Sequence, residues 1–168
     1  MPYYEVDDST NSILNIISGD SFCTEVSLVS NDEIKYIGKI FGWCFDWRSE
    51  SNLIDREVYK LTIVGNQKII QGLISLSVKA DHVYINFLES ARFNFGKQKL
   101  YEGITGNLLA FACQLSFQRG KNGFVAFEAK YCMLEHYTNT YGASEREGHL
   151  MVLDTLAAEK LVEKYFKS

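Results

Sequence analysis

The chain has 168 residues and a formal net charge of −4. Hydrophobic residues make up 46% of it and charged residues 23%, which gives one domain a substantial core and excludes a disordered or fibrous protein. We therefore expect a single domain over residues 1–168. The acidic charge argues against a nucleic-acid partner, because nonspecific affinity for a phosphate backbone depends on clustered Lys and Arg.

Cysteine and histidine spacing excludes two further classes of protein. The four cysteines lie far apart without a Cys-x-x-Cys pair, and no secretory leader pattern precedes them, so reduced thiols in a cytoplasmic protein are expected. The three histidines do not share a metal-ligand spacing, so no metal site is predicted. No stretch of about 18 uninterrupted apolar residues occurs, and no membrane span is expected.

The sequence of the first part of the chain predicts a loosely held start followed by one helix. Residues 1–20 show little periodicity. Residues 30–33 have the Ser-x-x-Glu form of a capping box, which marks a helix start. Apolar residues follow at helical spacing, namely Ile34, Ile37 and Phe41. The helix is predicted to end near Gly42.

The middle of the chain predicts an antiparallel meander. Three runs are rich in β-branched, aromatic and other apolar residues, at positions 58–64, 68–78 and 83–88. Gly65-Asn66 separates the first two runs, and Asp81-His82 separates the last two. Because turns this short join neighbouring antiparallel strands, the three runs are expected to pair in order.

The second half alternates helices and strands. Apolar residues at helical spacing mark a long helix, namely Ile104, Leu108, Phe111 and Leu115. Residues 120–123 end it, 124–127 form a buried strand, and the crossover implies a parallel pair. A helix at 131–141, a strand at 150–153 and an amphipathic helix ending at Tyr165 follow. The predicted fold is α/β (α+β), with a mixed, mostly antiparallel sheet flanked by helices on both faces.

The junction between the meander and the long helix carries the strongest functional signal. Gly103 and Gly106 let the backbone approach a ligand closely, and the first-turn amides of the helix direct free donors toward an anion. A pyrophosphate would fit there. The alternative is that the glycines only shape the loop.

These elements and motifs resemble the GNAT superfamily of acyltransferases. Leu100–Thr105 lies in the register of the superfamily loop Gln/Arg-x-x-Gly-x-Gly/Ala, although Leu100 and Thr105 depart from it. Further segments resemble a bacterial subgroup of this superfamily: Glu89-Ser90-Ala91, Leu108–Cys113, His136-Tyr137 with Gly142-Ala143, and Lys160–Phe166. The resemblance runs from about residue 57 to residue 167.

The resemblance implies acetyl-CoA as cosubstrate and no metal. It places the pyrophosphate of coenzyme A on the start of the long helix, at Gly103, Ile104, Thr105, Gly106 and Asn107. It places the pantetheine arm and the thioester carbonyl along the backbone of the fourth strand of the family fold, at Phe87, Leu88 and Glu89. Lys97 and Lys99, in the loop between, are candidate phosphate contacts, with ordinary solvated lysines as the alternative.

The resemblance also implies catalytic and acceptor residues. Glu89 is the candidate base that deprotonates the amine, with a loop ion pair as the alternative. Tyr137 is the candidate acid for the leaving thiolate. Tyr141 is its rival, because Tyr137 lies one residue further from the helix-ending Gly142 than the family pattern places its tyrosine. Core packing is the alternative for both tyrosines. Candidate acceptor contacts are Trp43, Trp47 and His136, with core packing as the alternative for the tryptophans and a structural role as the alternative for His136.

Three functions remain open at this stage. The first is an N-acetyltransferase acting on a small-molecule or protein amine. The second is a catalytically inactive protein of the same fold that binds coenzyme A or a partner, which the departures at Leu100 and Thr105 favour. The third is a toxin that acylates charged tRNA, against which the acidic charge counts. A homodimer is also left open.

Overall fold

The computed structural model describes residues 13–166. Its strands are β1 (Ile13–Asn15), β2 (Ser21–Phe22), β3 (Thr24–Leu28), β4 (Glu57–Ile63), β5 (Asn66–Val78), β6 (Val83–Ser90), β7 (Tyr101–Glu102), β8 (Val125–Glu128), β9 (Ser144–Glu145) and β10 (Leu150–Leu153). Its α-helices are α1 (Asn31–Ile34), α2 (Trp47–Ser51), α3 (Ile104–Gln118), α4 (Leu134–Tyr141) and α5 (Thr155–Tyr165). Short 3-10 turns lie at Lys39–Phe41, Arg92–Asn94, Tyr131–Met133 and Glu147–His149.

The main sheet has the order β3-β4-β5-β6-β8-β10-β9. Its neighbours from β3 to β6 are antiparallel, as the short turns at Gly65 and Asp81 predicted. β6 and β8 are parallel because α3 crosses between them, whereas β8, β10 and β9 are again antiparallel. The predicted mixed, mostly antiparallel sheet is confirmed.

Two hydrophobic clusters cover the two faces of this sheet. Alternate residues of a strand point to opposite faces, and Ile74 of β5 belongs to the large cluster with α3 and α5, whereas Leu73 belongs to the smaller cluster with Trp47 of α2. α3 is buried along most of its length, since the sheet covers one side and α5 the other. The predicted helices on both faces are therefore present.

The prediction for the first helix is wrong in its length. The capping box forms, with the Ser30 hydroxyl accepting from the Glu33 amide at 3.2 Å, but α1 ends at Ile34. Gly38 is then fully extended, and a separate 3-10 turn at Lys39–Phe41 ends at Gly42 in the left-handed region. Of the predicted stripe, Ile37 is buried, Ile34 is half-buried and Phe41 is 53% exposed, so the three residues do not form one buried helical face.

The start of the described chain is held by a second, small sheet. β1 lies between β2 and β7, and Leu14 pairs with Glu102 just before α3. Ile13 is fully buried. The expectation of a loosely held segment therefore does not apply to Ile13, and its part at residues 1–12 lies outside the described residues. Within residues 13–166, no helix is both long enough and apolar enough to cross a bilayer.

Candidate functional site

A cavity lies where β6 and β8 separate. The two strands pair only at their first three positions, ending with Ile85 opposite Phe127. A register shift then follows on the other side of β6, where Ser75 of β5 pairs with Phe87 and Asn86 is the extra residue. The resulting cavity has a volume of about 380 Å³. Its lining residues are Phe45, Tyr84, Ile85, Asn86, Phe87, Leu88, Leu109, Phe127, Glu128, Ala129, Lys130, Met133 and Tyr137.

The lining of the cavity comes from both faces of the sheet. Leu109 reaches it from α3, which covers one face, and Phe45 reaches it from the turn before α2, which covers the other face. The edge of β6 that faces the cavity does not pair with β8 beyond Ile85, so a ligand can run alongside it there.

Tyr137 is the predicted tyrosine that lies at the cavity. Its ring packs against Phe127 at a centroid distance of 5.0 Å, and burial raises the pKa of its hydroxyl, so the phenol is protonated at neutral pH. Tyr141 lies one turn later, with its ring 6.1 Å from that of Tyr137. Burial raises the pKa of Tyr141 to about 12, and the side chain packs on the main core rather than on the cavity.

Glu89 is 5% exposed and accepts three hydrogen bonds. Its Oε2 accepts from the Cys44 amide at 2.7 Å, and its Oε1 accepts from the Phe45 amide at 3.1 Å and from Nε1 of Trp47 at 2.8 Å. Hydrogen bonds to a charged group stabilise by roughly 1.5–3 kcal/mol each. The Glu89 side chain lies behind the cavity wall and ties the turn before α2 to β6.

The aromatic residues at the cavity are not the two predicted tryptophans. Trp43 and Trp47 are 8% and 0% exposed and belong to the second core cluster. Phe45 and Phe87 line the cavity instead, with ring centroids 4.8 Å apart and more than a third of each residue exposed. The sequence places Phe45 in the same aromatic cluster as Trp43 and Trp47. That pattern does not show which of these residues line the cavity and which are buried in the core.

The start of α3 combines an open turn with tight packing. Gly103 has φ 97°, a conformation that favours glycine, and its carbonyl accepts from the side chain of the fully buried Asn107 at 2.7 Å. A Cβ on Gly106 would lie 2.1 Å from the hydroxyl of Tyr165, so this glycine lets α5 pack against α3. Ile104 is also buried, and Thr105 is half-buried. The amides of Ile104, Thr105 and Gly106 have no intrahelical acceptor, whereas the Asn107 amide donates to the Gly103 carbonyl at 3.1 Å.

The remaining predicted contacts lie on the surface. Lys97 is exposed, and Lys99 forms an ion pair with Glu102 at 2.9 Å. His136 is exposed on α4, with its ring 5.5 Å from that of Tyr137. His, Cys, Asp and Glu side chains do not group into a metal-binding set anywhere in residues 13–166.

A buried polar network supports the bulge on β6, and sequence reasoning did not find it. Asn86 donates to Ser77 at 2.9 Å and accepts from Arg56. Arg56 lies 3.0 Å from Glu50, which accepts from Ser75 at 2.9 Å. The network fixes the side chain of the extra residue in the bulge, and with it the point at which β6 leaves β8.

A scan against protein-family models and a search of curated sequences found no match to the chain. Solved structures are similar to it. The ribosomal-protein-S18-alanine N-acetyltransferase from Escherichia coli matches with a TM-score of 0.55 and 13% identity, over 77% of this chain and 92% of that one.

Two structures of the AtaT toxin are also similar. AtaTR bound with acetyl-CoA matches with a TM-score of 0.55 and 15% identity, over 82% of this chain and 97% of that one. A mutant AtaT toxin, bound to the C-terminus of the antitoxin AtaR and to acetyl-CoA, matches with a TM-score of 0.53 and 14% identity, over the same shares of the two chains. The chain therefore has the fold of the GNAT acetyltransferases.

Proposed function

We propose that this protein is an acyl-CoA-dependent N-acetyltransferase that moves an acetyl group from acetyl-CoA to a primary amine of a small molecule or a protein. The observation that carries the proposal is the cavity between β6 and β8, whose lining comes from elements on both faces of the sheet and includes Tyr137. Two of the similar structures hold acetyl-CoA, which supports the choice of donor.

The donor is proposed to bind along β6 and the start of α3. Backbone groups of Phe87, Leu88 and Glu89 would hold the pantetheine arm and the thioester carbonyl. The amides of Ile104, Thr105 and Gly106 would face the pyrophosphate, where the helix dipole favours negative charge. Asn107, proposed from the sequence as a fourth contact, donates from both its amide and its side chain to the Gly103 carbonyl and would support the turn instead. Lys97 and Lys99 would add positive charge at the phosphates.

The proposed chemistry is direct transfer within this cavity. The amine nitrogen attacks the thioester carbon, an N–C bond forms, and the C–S bond then breaks to release the thiolate of coenzyme A. Main-chain amides of β6 that donate to the thioester carbonyl oxygen as it becomes an oxyanion would lower the barrier. Tyr137, whose phenol carries its proton at neutral pH, would give that proton to the leaving thiolate. Tyr141 is the rival donor if α4 shifts along its axis.

Two carboxylates are candidates for the base that takes a proton from the amine before it attacks. Glu89, the base predicted from the sequence, is buried and has both oxygens engaged in hydrogen bonds. Glu128 is exposed at the end of β8 and lines the cavity. Glu128 is therefore the second candidate base, and His136 remains a candidate acceptor contact at the rim of α4.

The alternative is a protein of the same fold that binds coenzyme A or a partner without catalysis. Its support is the loop before α3, where Leu100 and Thr105 replace the superfamily residues and Gly106 is committed to the contact with Tyr165. The similar AtaT structure that is bound to part of its antitoxin supports a protein partner under this alternative.

Turnover of acetyl-CoA with a panel of amines separates the two. The full chain would be incubated with acetyl-CoA and with polyamines, amino acids, aminoglycosides and peptides that carry a free N-terminus. We expect amine-dependent release of the coenzyme A thiol, with the acetylated amine identified by mass spectrometry. Saturable acetyl-CoA binding with no amine-dependent release from any class would contradict the enzyme and support the alternative.

A further inference from the structure

We infer that Glu89 is a positioning residue, which holds the turn before α2 in place and thereby sets the aromatic wall that the acceptor meets. The inference rests on the proposed acetyl transfer and assigns its acceptor side. Glu89 then acts on the reaction by fixing the position of Phe45, and not by taking a proton. The inference also predicts an acceptor whose amine is attached to an apolar or aromatic group.

The first step is the geometry of the three donors. Two come from the amides of Cys44 and Phe45, in the turn, and the third comes from the indole of Trp47, the first residue of α2. One carboxylate therefore holds the backbone of the turn and the start of α2, and both of its oxygens are used. The two amide hydrogen bonds are part-buried, and Glu89 supplies their acceptors from a strand more than 40 residues away in sequence.

The second step is the wall itself. The ring of Phe45 rests on Phe87 at 4.8 Å and lies 6.2 Å from the ring of Trp47. Phe87 and Glu89 are two residues apart on β6, so one strand places both halves of the wall. It carries the Phe87 ring directly, and it holds Phe45 through the Glu89 carboxylate.

The third step is access. Glu89 is buried behind Phe45 and Trp47 and does not line the cavity, whereas Glu128 does. A general base must reach the proton it takes, directly or through one water. Glu89 would have to release the turn to do so, which would also remove the wall against which the acceptor lies.

The test uses Glu89→Gln, which keeps the size of the side chain. Whichever way the amide is turned, its NH₂ group replaces one of the two oxygens and faces N–H donors that it cannot accept from. The turn should loosen, and the KM for a peptide with a free N-terminal phenylalanine as acceptor should rise about tenfold, equivalent to about 1.4 kcal/mol. The kcat should stay within about threefold, and the pH profile of kcat should keep its shape. Trp47→Phe removes a single donor and should raise KM in the same direction. Glu163→Gln, an exposed change on α5, is the matched control.

A double-mutant cycle tests whether the effect passes through Phe45. If Glu89 acts by holding this ring, Phe45→Ala should raise the acceptor KM by itself, and adding Glu89→Gln should then change it little. Effects on KM that multiply would mean that the two residues act independently and would overturn the inference.

Two readouts need no activity. The indole ¹⁵N–¹H signal of Trp47 should move toward that of a weaker hydrogen bond in Glu89→Gln, and the exposed Cys44 thiol should react faster with a maleimide in a Cys132→Ser background. If the chain proved inactive, the proposed function would fail, yet these readouts would still decide the positioning role. An unmoved indole signal, or a kcat that collapses with one limb of its pH profile, would contradict that role.

Discussion

Replacing Tyr137 with phenylalanine is expected to lower kcat for acetyl transfer by about 100-fold or more, the usual contribution of a positioned acid. The ring would stay packed on Phe127, so the cavity keeps its shape and only the proton is lost. Affinity for acetyl-CoA should stay within about twofold, because the hydroxyl acts on the leaving thiolate rather than on the bound donor. Steady-state kinetics and a direct binding isotherm measure the two quantities.

Tyr141→Phe is the matched control for that prediction. It removes the same hydroxyl one helical turn away, from a side chain that does not line the cavity. Its kcat should stay within about threefold of the wild type. The reverse order of effects would assign the acid to Tyr141, and equally small effects would show that the thiolate leaves without help from α4.

Replacing Trp47 with alanine is expected to lower the free energy of unfolding by about 3–5 kcal/mol, the usual cost of truncating a buried tryptophan. Trp47 is fully buried, packs in the second core cluster, and donates to Glu89 at 2.8 Å. The change would leave a cavity and remove one donor from a buried carboxylate. Urea unfolding followed by circular dichroism measures the loss.

Phe45→Ala is the comparison for Trp47→Ala. Phe45 is 39% exposed and lies in the wall of the cavity, so its truncation should cost less than about 1.5 kcal/mol. A loss below about 1 kcal/mol for Trp47→Ala would contradict the core assignment. It would return Trp47 to the acceptor role that the sequence suggested.

The parts of the fold that depend on local sequence were predictable. The apolar spacing of α3 placed Leu108 and Leu115, which are fully buried, and Gly65 and Asp81-His82 placed the turns of the meander. The first helix was not predictable in length, because a capping box fixes only where a helix begins. Where the helix ends depends on tertiary packing, since Ile37 is buried in the core and the residues directly after it are not.

The candidate site depends on contacts between distant parts of the chain. Tyr137 could be proposed because the resemblance to the GNAT superfamily places a tyrosine on the helix that follows this strand. The three hydrogen bonds of Glu89 join β6 to a turn 42–45 residues earlier, and nothing in the local sequence of either segment signals them. The choice between Phe45 and the neighbouring tryptophans as the cavity wall depends on the same long-range contact.

The measurement that tests the central claim most directly is the thermal midpoint of the purified chain with and without acetyl-CoA. A ligand that binds only the native state raises the free energy of unfolding, by about 2.7 kcal/mol when its concentration is 100 times the Kd. We predict a clear rise with acetyl-CoA and with coenzyme A, and none with adenosine. No rise at millimolar acetyl-CoA would contradict a donor site between β6 and α3, and with it the proposed acetyl transfer.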